Sequence, residues 1–139
     1  MRHALRTAIS ERVLNALYVG LGGFIGAILR YGIGQWIARA GARAFPLATL
    51  GVNVLGSFLI GLLMSLFLER QSFSEEMRLL LVTGLLGSLT TFSTFSWETV
   101  ELFRQGQLGG ALGNVLWNLG LSIAAVVLGI LAARSFSGA

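Results

Sequence analysis

The sequence has 139 residues, 55% hydrophobic and 12% charged, with ten basic residues, six acidic ones and a formal net charge of +4; mean hydropathy is +0.78 and the isoelectric point is near 11.1. Soluble domains carry roughly 25% charged residues, so a water-soluble globule of this size lacks the polar surface it needs. The cations are all Arg, scattered singly rather than clustered among aromatic residues, which argues against nucleic acid as a partner, and the absence of Cys removes disulfides, thiolate metal sites and a Cys nucleophile.

Residues 1–12 read as an N-terminal polar tail, and residues 13–139 as a single four-helix transmembrane domain. The one His, His3, has no second ligand beside it and reads as a solvated terminal residue. Arg2, Arg6 and Arg12 ahead of an apolar stretch resemble the start of a secretory signal. No A-x-A-like cleavage site follows, because Ile28-Leu29-Arg30-Tyr31-Gly32 stands there, so an uncleaved first helix is expected.

The first uncharged run, Val13 to Leu29, falls short of the about 20 residues that cross ~30 Å of hydrocarbon. The span must therefore continue past Arg30 toward Ala38, with a guanidinium inside it. An intramembrane cation either draws anions into a vestibule or snorkels to the interface. Gly22 and Gly26 stand in GxxxG spacing, which permits close helix packing. The second run, Ala44 to Leu68, carries Asn53, whose amide can tie helices together or offer two hydrogens to a path.

The third run, Leu79 to Trp97, differs in kind. Between Thr83 and Ser96 it carries Gly84, Gly87, Ser88, Thr90, Thr91, Ser93 and Thr94. Hydroxyls bond back to carbonyls one turn earlier and Gly lowers helix preference, so the third helix is expected to break at its centre. Backbone broken at membrane depth survives only when buried or beside water, where freed carbonyls commonly coordinate a cation. Phe92 and Phe95 share a helix face beside Ser93 and Thr94. Phenyl rings have positive edges, so rings presented edge-on beside hydroxyl donors suit a small, strongly hydrated anion.

The fourth run, Gln105 to Ala133, places Asn114, Asn118 and Ser122 at four-residue steps, a polar stripe on one face. Such a stripe faces a neighbour or a watery path, since lipid would penalise it. The loops are short, leaving no room for a soluble domain or an enzyme pocket. The side holding the N-terminus, second loop and C-terminus carries Arg2, Arg6, Arg12, Arg70, Arg78 and Arg134, and the other carries Arg39, Arg43 and Arg104. Without the tail the two sides are equal. A chain with so weak an orientation signal can insert both ways and form an antiparallel homodimer, the symmetry coming from assembly because the sequence has no internal repeat.

Gly22-Gly23-Phe24-Ile25-Gly26-Ala27-Ile28-Leu29-Arg30-Tyr31, Pro46 with Thr49, Val52-Asn53, Gly56-Ser57-Phe58 and above all Thr90-Thr91-Phe92-Ser93-Thr94-Phe95 closely resemble the Fluc (CrcB) fluoride channels. The likeness covers nearly the whole chain after the tail. It implies an all-α membrane protein, an antiparallel dual-topology homodimer with two fluoride pores in the cytoplasmic (inner) membrane. It also implies a structural, untransported Na+ at the dimer centre, held by the backbone carbonyls of Gly87 and Thr90 from both subunits. Phe92 and Phe95 match the family's pore phenylalanines and Asn53 its pore asparagine. Asn114, Asn118 and Ser122 fall on a track that in the family is a Tyr and two Ser. Ser88 stands where the family usually has a second Gly, and a positive φ there would strain it. Leu85 replaces a common Phe, and Glu98 matches an acidic position near the pore mouth. The expected fluoride pore therefore comprises Asn53, Phe92, Ser93, Thr94, Phe95, Asn114, Asn118, Ser122 and Arg30.

Two other readings compete with a passive channel. A small dual-topology proton-coupled multidrug transporter needs an acid deep in an early span, and the first two spans contain none. A purely structural membrane protein has no use for a broken, hydroxyl-rich helix. No acid or hydroxyl here has the base and orienting group that catalysis requires.

Overall fold

Backbone in hydrocarbon satisfies its own N–H and C=O groups by forming helices, and the long uncharged runs do so. The computed structural model describes residues 2–40, 45–69 and 74–137, with side chains for 11–40, 45–68 and 74–135. Helix α1 is Arg2–Arg39 and α2 is Leu47–Glu69. The third span, Glu75–Arg104, is composite: α3 (Glu75–Arg78), a π-helical stretch (Leu79–Leu86), α4 (Gly87–Leu89) and α5 (Phe92–Arg104). Helix α6 (Leu108–Ser137) follows. Four segments are long and apolar enough to cross a membrane, Glu11–Arg39, Leu47–Leu68, Glu75–Arg104 and Leu108–Ser135.

From Arg2 onward the backbone of the polar tail is part of α1. With 38 residues at ~1.5 Å rise, α1 is roughly 57 Å long and overshoots a ~30 Å hydrocarbon layer. The side chains of Arg2, His3 and Arg6 lie outside the described set, as do Arg43 and Arg70 altogether.

The halves of the third span pack on different partners. The π-helical stretch and α4 lie against α1, whereas α5 lies against α6, which also packs along α2. The first of these contacts is backbone on backbone. A Cβ at Gly22 would run into the Leu80 carbonyl, and one at Gly26 into the Leu85 carbonyl, so the GxxxG pair is what lets α1 approach this closely. The small core of Val52, Leu86 and Leu89, flanked by Ile33, Leu59, Leu63 and Leu85, sits where α2 meets the end of α4. Many large apolar side chains face outward, among them Trp36, Leu68 and Leu116. In water such a surface is a liability; in hydrocarbon it is the ordinary solvent-facing side.

Candidate functional site

Helical backbone ends at Leu89 and resumes at Phe92. Thr90 (φ −80°, ψ 157°) and Thr91 (φ −153°, ψ 115°) between them are extended. The Thr90 N–H (3.1 Å) and the Thr90 hydroxyl (3.0 Å) both donate to the Leu86 carbonyl, closing the last turn of the first half. Thr91 opens the second half as its N-cap: its Oγ1 accepts from the Thr94 N–H at 3.2 Å, donates to Thr94 Oγ1 at 3.0 Å and lies 3.2 Å from Ser93 Oγ. A Thr hydroxyl in this place satisfies one of the donors that a helix start leaves orphaned.

The remaining polar groups of Thr91 are met from α2. Asn53 Oδ1 accepts the Thr91 N–H at 2.8 Å, and Asn53 Nδ2 donates to the Thr91 carbonyl at 3.2 Å. A side-chain amide has the donor and acceptor of a peptide unit, so Asn53 substitutes for the helical neighbour Thr91 lacks. In a continuous helix the Thr91 and Thr94 N–H groups would bond to the carbonyls of Gly87 and Thr90. Here they turn to Asn53 and to the Thr91 hydroxyl, releasing both carbonyls from those bonds. Two released carbonyls are a donor set that fits a hard cation such as sodium. Ser88 lies within α4, and no described non-glycine residue has a positive φ, so no backbone strain arises there.

Beside the break lies a cleft of about 350 Å³, whose lining includes Asn53, Gly87, Thr90, Phe92, Phe95, Asn118 and Ser122. The rings of Phe92 and Phe95 are tilted by 53° with centroids 5.4 Å apart; Phe95 is 7% exposed and Phe92 73%. Asn118 Oδ1 accepts from Asn53 Nδ2 at 3.0 Å, joining α6 to the clamp. Four expected residues stand elsewhere. Asn114 is fully enclosed at 0% exposure and lies behind the cleft. Arg30 and Thr94 line a second cleft of about 420 Å³ together with Thr49, Thr91 and Glu98. Ser93 is exposed and lines neither.

In the second cleft Glu98 Oε1 accepts from the Thr49 hydroxyl at 2.8 Å, while Oε2 is buried with no hydrogen-bond partner among the described residues. Arg30 and Glu98 share the cleft but form no ion pair with each other. Glu101 and Arg104 pair at 3.5 Å on an exposed helix end, where such a contact contributes little. Sequence reasoning did not single out Thr91 as a cap, or Thr49 and Thr99 as partners. A signal existed for Thr49, since Thr49, Asn53 and Ser57 recur every four residues and so share one face of α2.

Residues 17–130 match the family described as CrcB-like protein, Camphor Resistance (CrcB). The chain belongs to the CrcB-like family. A protein of Agrobacterium fabrum named fluoride-specific ion channel FluC is 48% identical over 123 residues, covering 88% of this chain and 98% of its own length. FluC proteins of the same name from Rhizobium etli (strain CIAT 652; 44% over 125 residues, covering 90% of this chain and 100% of the relative) and Clostridium perfringens (strain 13; 44% over 124 residues, 89% and 97%) are similar. The CrcB-like match encloses every residue of both clefts. With four spanning helices, the chain is a multi-pass membrane protein.

Proposed function

We propose that this chain is a passive fluoride-selective ion channel of the cytoplasmic (inner) membrane, exporting cytoplasmic fluoride and so protecting the cell from its toxicity. The observation that carries this reading is the cleft itself, in which the tilted Phe92 and Phe95 rings meet a clamped helix break and the Ser122 hydroxyl at membrane depth. Ring edges and hydroxyls favour an anion without a fixed charge that would trap it. Asn53, Phe92, Phe95, Asn118 and Ser122 line the path. Ser93 and Thr94 complete the hydroxyl-rich surround, and Arg30 raises the local anion concentration from the neighbouring cleft. A negative-inside potential, about 2.3 kcal/mol per charge per 100 mV, drives the anion outward. No covalent bond is made or broken, and the chain is no enzyme.

The functional unit in this reading is an antiparallel dual-topology homodimer in the lipid bilayer. It is supported by Phe92, Ser93 and Thr94, all exposed on the single chain near the middle of a span. Hydroxyls turned toward hydrocarbon are costly, and a second copy covers them. The carbonyls of Gly87 and Thr90 from both copies would hold a structural sodium ion, which supplies charge to bind the two broken helices together. Replacing sodium with a bulky organic cation is expected to lower the melting temperature by roughly 5–10 °C. An unchanged melting curve in detergent rejects the sodium site.

The deciding experiment is fluoride efflux from liposomes holding the purified protein, read with a fluoride electrode beside a chloride-loaded sample. Rapid fluoride release with negligible chloride release is expected, and equal or absent release of both ions overturns the reading. Phe92→Ile removes a ring without adding charge. It is expected to slow fluoride release at least about tenfold while leaving the dimer intact on size-exclusion chromatography; parental flux would remove Phe92 from the lining.

A further inference from the structure

Asn114 is the most enclosed polar side chain among the described residues and lines neither cleft, yet it is bonded on two sides. Its Nδ2 donates to Thr99 Oγ1 at 2.8 Å, and the Thr99 hydroxyl donates to the Phe95 carbonyl at 2.8 Å. On its other side it accepts from Asn118 Nδ2, at its backbone oxygen (3.1 Å) and at Oδ1 (2.8 Å). Asn118 in turn accepts from Asn53, which grips Thr91. The chain of bonds therefore leaves the first turn of α5 at Thr91, crosses α2 and α6, and returns to the same turn at Phe95.

We propose that Asn114 and Thr99 are positioning residues of the fluoride path, fixing Asn118 and the Phe95 turn from behind the cleft without touching the ion. The inference rests on the channel reading above. Every bond from Asn53 to Phe95 runs in one donor-to-acceptor direction, so each amide is locked in one orientation by the next. Asn118 lines the cleft, but its Nδ2 donates to the two oxygens of Asn114. Its carbonyl oxygen, which would repel an anion, is held on Asn53. Cutting the chain at Thr99 unlocks Asn114 and then Asn118, so that oxygen can swing into the path. In this chain the fourth-helix stripe is thus divided: Ser122 faces the ion, Asn118 is a fixed wall and Asn114 is a strut.

Thr99→Val removes the hydroxyl at nearly constant volume, and Thr99→Ser keeps it. In liposomes loaded with about one channel or fewer each, the amplitude of fluoride release counts vesicles with a folded channel, and the rate constant reports each channel's throughput. Thr99→Val is expected to slow the rate about tenfold at unchanged amplitude, with Thr99→Ser within about twofold of the parent. A parental rate, or a loss confined to amplitude, overturns the proposal; a parent that releases no fluoride sinks the channel reading and this inference with it. If Thr99→Val is not monodisperse, the parent protein labelled with 15N-asparagine decides. Its Asn114 side-chain amide signals are expected to stay in place as sodium fluoride replaces sodium chloride, and a fluoride-induced shift or 19F coupling there overturns the proposal.

Discussion

Asn53→Asp is expected to reduce fluoride efflux at least about a hundredfold. Aspartate keeps the acceptor that receives the Thr91 N–H but loses the amide hydrogens donated to the Thr91 carbonyl and to Asn118 Oδ1. Two bonds at the break are cut, and two oxygens that had donors now face a carboxylate. The new negative charge also lines the cleft through which an anion passes. At about 4 Å and an effective dielectric of about 20, like charges repel by ~4 kcal/mol, enough for the stated loss. Vesicle efflux at matched protein incorporation reads the outcome. Asn53→Ala breaks these two bonds and the one from the Thr91 N–H as well, without adding charge, so a deeper loss in Asn53→Asp than in Asn53→Ala isolates the effect of the charge. Parental efflux in Asn53→Asp would show that neither the clamp nor the local potential governs the path.

Gly26→Val is expected to abolish folded protein. A Cβ there collides with the Leu85 carbonyl and comes within 3.1 Å of the Leu89 backbone nitrogen. Both obstacles are backbone, so the substitution can be relieved only by moving α1 away from the third span, with a loss of packing of about 3 kcal/mol or more. Gly32→Val on the same helix is the control, because nothing lies within 4 Å of its added Cβ. Yield of monodisperse protein after membrane extraction should collapse for the first variant and hold for the second. Equal yields would mean that α1 does not depend on this close approach.

The contrast between these two glycines marks where sequence reading stops. Gly22, Gly26, Gly32 and Gly34 are all small residues of one span, and GxxxG spacing singles out the first pair. Spacing gives the shared face; only the coordinates show that the face meets the carbonyls of Leu80 and Leu85. Those carbonyls belong to the π-helical stretch Leu79–Leu86, whose sequence LLLVTGLL has no distinctive local signature. Its wider turn is not foreseeable from side-chain periodicity. Similarly, Asn114, Asn118 and Ser122 form one stripe by register, yet Ser122 and Asn118 line the cleft and Asn114 is sealed behind it. Arg30 stands out as an intramembrane charge in any reading, but its place in a separate cleft beside Glu98 is a matter of packing.

By itself the sequence determined the four spans and the membrane class, because uncharged length and hydropathy are properties of contiguous residues and need no neighbours. It also carried the family, through motifs written in order along the chain. The tertiary structure alone decided which polar groups meet. The partners of Asn53 are 38 and 65 residues away along the chain, and those of Asn114 come from two different helices and turns. A hydrogen bond depends on direction as well as on residue type, and direction is set only when α2, α5 and α6 have packed.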